Sequence, residues 1–168
     1  MKAIKMVILG VDPGLQKTGF AVLHTEDKSS NLLQFGLINT NSCHLFERRL
    51  KIIYDQLCDI IEQYTLEGIA LEEIFYSRNV KVALKMSHAR GVTLLAAANY
   101  QIPTAEYSPR EIKQAVTGNG NASKYQVQQM IGRLLNLTAT PSNFDITDAM
   151  AVAYCHSQRV ISKAQIKT

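Results

Sequence analysis

Four carboxylates, Asp12, Glu72, Asp145 and Asp148, stand where apolar segments end or begin, in the contexts VILGVDPG, GIALEEIF and NFDITDAMAVAY. Acidic groups beside core-like runs are costly to bury unless they are paired or hold a cation. Oxygen-only ligation of this kind suits Mg²⁺ or Mn²⁺ rather than zinc. Two such ions ~3.5 to 4 Å apart activate a water and stabilise the leaving oxygen of an in-line displacement. The chemistry suggested is metal-assisted attack on a phosphodiester, with no histidine needed as general base. Each acid also has a plainer role open to it. Asp12 in DPG is a good turn former, and Asp145 and Asp148 would suit the positive end of a helix dipole.

Positioning these groups requires particular elements. Residues 4–11 (IKMVILGV) are almost continuously apolar, as in a strand covered on both faces, and Pro13-Gly14 breaks the run after Asp12. Residues 18–25 and 32–38 read as two further strands separated by a polar turn. Between 44 and 64, Phe46, Leu50, Ile53, Leu57, Ile60, Ile61 and Tyr64 recur at intervals of three and four, which predicts an amphipathic helix. Gly68 stops it and Ile69 to Ile74 predict a buried strand that carries Glu72. A helix over 79–99 and a short strand over 103–107 follow. The boxes Ser108-Pro109-Arg110-Glu111 and Ser123-x-x-Gln126 then start two helices on either side of a glycine loop. The last helix is expected from about Asn143 to His156.

If the first and fourth strands are parallel neighbours, their backbones lie ~4.8 Å apart, and Asp12 and Glu72 can share a cation. The 44–64 helix supplies the crossover such a pair requires. Asp145 and Asp148, three apart on a helix, share a face. Glu72 and Glu73 point to opposite faces of their strand, so one of them is expected outside the site. The element order implies an α/β fold, with a mixed sheet flanked by helices on both faces. One domain is expected over 1–157, followed by a basic, flexible tail over 158–168.

The chain of 168 residues is 46% apolar and 19% charged, an ordinary globular balance that argues against a disordered chain, and carries a formal charge of +4, which suits a polyanionic partner. Cys43, Cys58 and Cys155 have neither zinc-site nor disulfide spacing and read as reduced thiols in or near the core. No apolar run reaches the ~18 to 20 residues that span a bilayer. A cytoplasmic protein with no membrane contact is expected.

Four segments resemble the RuvC family of Holliday junction resolvases: GVDPGLQKTGFAV at 10–22, LEEIFYSRNVKVALKMSHARG at 71–91, EYSPREIKQAVTGNGNASKYQVQQMI at 106–131 and DITDAMAVAYCH at 145–156. The resemblance implies a ribonuclease-H-like fold with a five-stranded mixed sheet. It implies that Asp12, Glu72, Asp145 and Asp148 hold two Mg²⁺ ions, Mn²⁺ substituting, and that Lys113 and Lys124 are active-site lysines. It also implies paired nicking of four-way DNA junctions in recombination and repair, by a bacterial homodimer working with the RuvA–RuvB branch-migration motor. Relatives often carry glutamine where this chain has Glu73. DNA contacts are expected from Phe75, Tyr76, Arg78, Lys85 and Arg90 besides the two lysines, with Phe75 stacking on bases at the opened junction.

Two other readings stand beside this one. GVDPGLQKTG also resembles a phosphate loop of actin-like ATPases and sugar kinases, but those enzymes need two such domains and the length cannot hold both. A junction-binding protein without catalysis would gain from neutral or basic residues where this chain has four acids.

Overall fold

The structure, a computed structural model, describes residues 4–27, 29–73 and 80–166. Its strands are β1 (Lys5–Asp12), β2 (Lys17–Glu26), β3 (Ser29–Asn39), β4 (Gly68–Glu72) and β5 (Thr104–Tyr107). Its helices are α1 (Phe46–Glu62), α2 (Val80–Asn99), α3 (Pro109–Thr117), α4 (Lys124–Leu134) and α5 (Phe144–Ile166). The strands form one sheet in the order β3-β2-β1-β4-β5. β1–β2 and β2–β3 are antiparallel, whereas β1–β4 and β4–β5 are parallel. The mixed, doubly covered sheet expected from the sequence is therefore present, with α1 as the crossover between β1 and β4.

Side-chain alternation divides the core into two layers. Ile8, Ala21, Leu23 and Ala70 face α3, α4 and α5, packing on residues such as Ile112, Ile131 and Met150. Leu9, Val11, Phe20, Val22, Ile69 and Leu71 face α1 and α2, packing on Ile53, Leu57, Ala89 and Ala96. β1 and β4 are buried on both faces, which is why both read as unbroken apolar runs.

Both capping boxes form. Ser108 and Glu111 exchange side-chain and backbone hydrogen bonds at the start of α3, as do Ser123 and Gln126 at the start of α4. α3 stops at Gly118, whose φ of 74° lies in the left-handed region open to glycine.

The C-terminal segment differs from expectation. The residues read as a loose tail from 158 continue α5 to Ile166. Ile161 is buried in the same core layer as Ile131 and Val160 packs against that layer, so the tail is anchored by apolar contact. Arg159, within the segment expected to be a flexible tail, donates from Nη2 to Glu111 Oε1 at 2.9 Å. Among the thiols, Cys155 is buried and Cys58 half-buried, but Cys43 is exposed rather than near the core.

Candidate active site

Strand parity brings the first two acids together. Asp12 ends β1 on the side set by Ile8 and Gly10, and Glu72 ends β4 two residues beyond Ala70, so both point toward α5. Val11 lies opposite Leu71 in the parallel β1–β4 pair, so one step further Asp12 and Glu72 leave the sheet as neighbours. The turn after Asp12 is closed by buried Thr18, whose Oγ1 donates to Gly14 O at 2.7 Å. A Cβ on Gly14 would lie 2.2 Å from Lys17 O, so this tight turn has room only for glycine.

The other two acids descend from above. The start of α5 is held by Asn143, whose Oδ1 accepts from Asp145 N–H at 2.8 Å. One turn places Asp145 and Asp148 on the same helical face. A cleft of about 350 Å³ is lined by all four acids together with Lys124 and Glu73. Glu73 thus borders the cleft instead of lying wholly outside it. Its position just past the last β4 residue frees it from strict alternation.

Lys124, the first residue of α4, donates from Nζ to Asp148 Oδ2 at 2.8 Å. The Asp148 side chain is 14% exposed while that of Lys124 is 67% exposed, so the ammonium closes over the carboxylate from solvent. Lys113, on α3, borders a smaller recess shared with Glu72, Lys124 and Asp148. The two lysines expected from the sequence therefore reach the acids from the helices on either side of the glycine loop.

The electrostatics are those of crowded anions. Burial, then repulsion from Asp148, Glu72 and Asp145, pushes the Asp12 carboxyl up to about 7. Burial and then Asp148 also raise Glu72, while Lys124 and Lys113 oppose the rise. Burial disfavours the Lys124 ammonium, but its hydrogen bond to Asp148 and the nearby acids outweigh this and raise its pKa. The donor set fits a hard divalent cation, since every acidic ligand is an oxygen and a cation relieves the repulsion between them. Among the described residues, no three Asp, Glu, His or Cys side chains are gathered tightly enough to chelate one ion as they stand. The acids face the cleft from separate walls, and Lys124 is paired with one of them, Asp148.

The remaining candidates divide. Lys85 is exposed and lines a groove beside the acid cleft. Arg90 is engaged by Glu106 of β5 in a half-buried ion pair, which gives it a partner that the sequence reading did not supply. Phe75, Tyr76 and Arg78 lie outside the described residues. Sequence reasoning missed Lys17 and Arg49, which line the same groove as Lys85. Lys17 was visible in the turn-and-strand segment that carries Asp12, but Arg49 gave no local signal because α1 meets that turn only in the fold.

Comparison with known proteins places these features in context. The family model described as crossover junction endodeoxyribonuclease RuvC matches residues 8–156. The crossover junction endodeoxyribonuclease RuvC of Alkaliphilus oremlandii is 46% identical over 152 residues, 90% of this chain and 93% of the relative. That of Desulforamulus reducens is 44% identical over 153 residues, 91% of this chain and 94% of the relative. Among solved structures, Thermus thermophilus RuvC in complex with Holliday junction substrate superposes with a TM-score of 0.90 at 29% identity, covering 94% of this chain and 96% of that one.

Proposed function

The chain belongs to the RuvC family of crossover junction endodeoxyribonucleases, and from this premise we propose that it resolves four-way DNA junctions at the acid cleft. It is a nuclease of ribonuclease-H-like fold, and the family's chemistry depends on metal. The observation that carries the reading is the convergence of Asp12, Glu72, Asp145, Asp148 and Lys124 on one cleft.

In this reading the four acids supply oxygen ligands for a pair of Mg²⁺ ions, with Mn²⁺ able to replace them. When bound, such ions supply Lewis-acid activation of water and stabilisation of the departing oxygen. The chain's own contribution is positional. β1 and β4 hold two carboxylates on rigid strand ends, and α5 holds two more on one helical face. Lys124 and Lys113 bring positive charge to the same place, where it can offset negative charge growing on the phosphate oxygens. Lysine suits this role as a compact point charge on a flexible stem.

A two-fold homodimer would present one such cleft to each of two opposed junction strands. Support for a dimer comes from α2, where Leu84 and Leu95 are 54% and 55% exposed and lie on one face of the helix. Among the described residues no helix is long and apolar enough to cross a membrane. A cytoplasmic site of action, and hand-over from a RuvA–RuvB branch-migration motor, complete the proposal.

The test is a side-by-side cleavage assay on labelled four-way junction, replication fork and linear duplex, with Mg²⁺ and with chelator. Symmetric, ligatable nicks in the junction alone, abolished by chelator, are expected. Equal cutting of linear duplex, or cutting that persists in chelator, would overturn the reading.

A further inference from the structure

We infer that a groove beside the acid cleft, walled by Lys17, Arg49 and Lys85, is a second phosphate-binding subsite that grips the cleaved strand next to its scissile bond. The inference rests on the nuclease reading above and concerns how the strand is held there.

The groove has a volume of about 560 Å³ and shares Met86 and Asp145 with the acid cleft, so the two are continuous. Its three cations come from three elements: Lys17 opens β2, Arg49 lies on α1 and Lys85 on α2. Among the described residues Asp145, at the boundary, is its one anionic wall residue. Lys17 and Lys85 are exposed, and among the described residues neither takes part in an ion pair. Arg49 is built in: its Nε donates to Thr40 Oγ1 at 2.9 Å and its Nη2 to Leu15 O at 3.1 Å. A guanidinium has five N–H donors, so these two bonds fix its orientation and leave others for an oxyanion.

The acid cleft needs such a neighbour. Among the described residues, Asp12, Glu72, Glu73, Asp145 and Asp148 line it with Lys124 as their cation, and Lys113 borders the adjoining recess, so acids outnumber lysines in a balance that repels a polyanionic strand. Phosphates on either side of the scissile one must be held elsewhere. The groove is a concave surface of the opposite sign of charge that adjoins the cleft, and its continuity through Asp145 lets one strand run across both. The ligand class is the phosphodiester backbone of DNA, recognised by charge and not by base sequence.

The experiment measures junction binding by the full chain without divalent metal, across a range of salt, for the wild type and for K17A/K85A. Both lysines are exposed, so the variant is expected to fold, and circular dichroism checks this. Losing two phosphate contacts should make the slope of log Kd against log salt shallower by roughly 1.4 to 1.8, and weaken binding roughly tenfold or more near 0.1 M salt. K51A, which removes an exposed lysine already paired with Asp55, should leave the slope unchanged. A junction with a neutral methylphosphonate one or two positions from the cut should bind the wild type more weakly while costing K17A/K85A nothing further. Unchanged affinity and slope in K17A/K85A, or equal loss from the methylphosphonate in both proteins, would overturn the subsite while junction cleavage by the wild type still supports the nuclease. A wild type that neither binds nor cuts junctions would sink the nuclease reading itself, and the subsite with it.

Discussion

The Cβ that Gly19 lacks would lie 1.9 Å from the carbonyl oxygen of Asp145. Gly19 is the β2 partner of Asp12 across the antiparallel pair, so one missing methyl lets the end of α5 settle directly on the strands that carry the first acid. Gly10 repeats the device further down β1, where a Cβ would meet Ala149 O at 2.1 Å and the Ala153 side chain at 2.8 Å. Two glycines under one helix therefore set the height of Asp145 and Asp148 above the sheet. Position, in this molecule, depends on absent atoms as much as on present ones.

Gly19→Ala is expected to cost activity before it costs the fold. The new methyl meets backbone, which cannot rotate away, so the first turn of α5 must lift. Overpacking of this kind destabilises by about 1 to 3 kcal/mol, which a protein of ordinary stability survives. The displaced acids should lower junction cleavage by roughly tenfold or more, given how steeply rates depend on placement. Urea denaturation and single-turnover cleavage on the same sample separate the effects. A stable variant that cuts at the normal rate would show that α5 height is not critical.

Much of this arrangement was legible in the residue pattern, because it is written in local signals. The unbroken apolar runs of β1 and β4, the serine capping boxes of α3 and α4, and the three-residue spacing of Asp145 and Asp148 each depend on neighbours in the chain. What escaped depends on distant contacts. SQRVISKAQIKT reads as a polar tail, yet among its described residues Ser157 and Ile161 are buried, and Arg159 is neutralised by Glu111 from another helix. Arg90 reads as a free cation until β5 brings Glu106 beside it. The groove of Lys17, Arg49 and Lys85 has no sequence signature, since its walls come from three separate elements.

Asp12→Asn should abolish nicking and spare junction binding. The amide keeps the shape of the side chain but loses its charge, so it is a poor ligand for a hard cation. The same change removes one anion from a repulsive cluster, and in chelator the variant should be more stable by about 1 kcal/mol, or about 2 to 4 °C in Tm for a chain of this size. Cleavage and gel-shift assays measure the first pair of outcomes, and calorimetry the last. A rate within a few-fold of the wild type would remove Asp12 from the metal site.

Lys124→Ala should slow cleavage more than it weakens binding. Its ammonium is already committed to Asp148, so it adds little to the ground-state grip on DNA, yet it stands where charge grows in the transition state. Loss of one such stabilising group costs roughly 10²- to 10³-fold in rate. Single-turnover rates at saturating enzyme, set against Kd from anisotropy, test the split. A fall in affinity as large as the fall in rate would make Lys124 an ordinary phosphate contact.

The proposed homodimer should depend on the exposed face of α2. Leu84 and Leu95 are eleven residues apart, about three helical turns, and so stand in line. Leu95→Glu places a charge where a second copy would bury an apolar group. Sedimentation should move from dimer to monomer, with paired nicking of one junction lost before single nicking. Unchanged sedimentation of a folded L84E/L95E double variant would direct the search for the interface to another surface.

The acidity of Asp12 makes a final prediction with a definite sign. Folded, its carboxyl holds a proton up to about 7, whereas an ordinary aspartate titrates at 3.8. Between these values the folded chain binds more protons than the unfolded one, so this residue's contribution to stability falls as pH rises toward about 7 and is constant above. His156 acts the other way: burial and then Lys163 lower its pKa, so its contribution is lost as pH falls. Subtracting the Asp12→Asn curve from the wild-type curve, both in chelator, isolates the first effect. The difference should favour the variant increasingly from pH 5 to 7 and then level. Mn²⁺ binding by the wild type, followed by calorimetry in buffers of different ionisation heat, should release close to one proton near pH 6 and fewer near pH 8. A flat difference curve together with no proton release at pH 6 would mean that Asp12 is already ionised in the folded chain, and that the neighbouring acids do not crowd it.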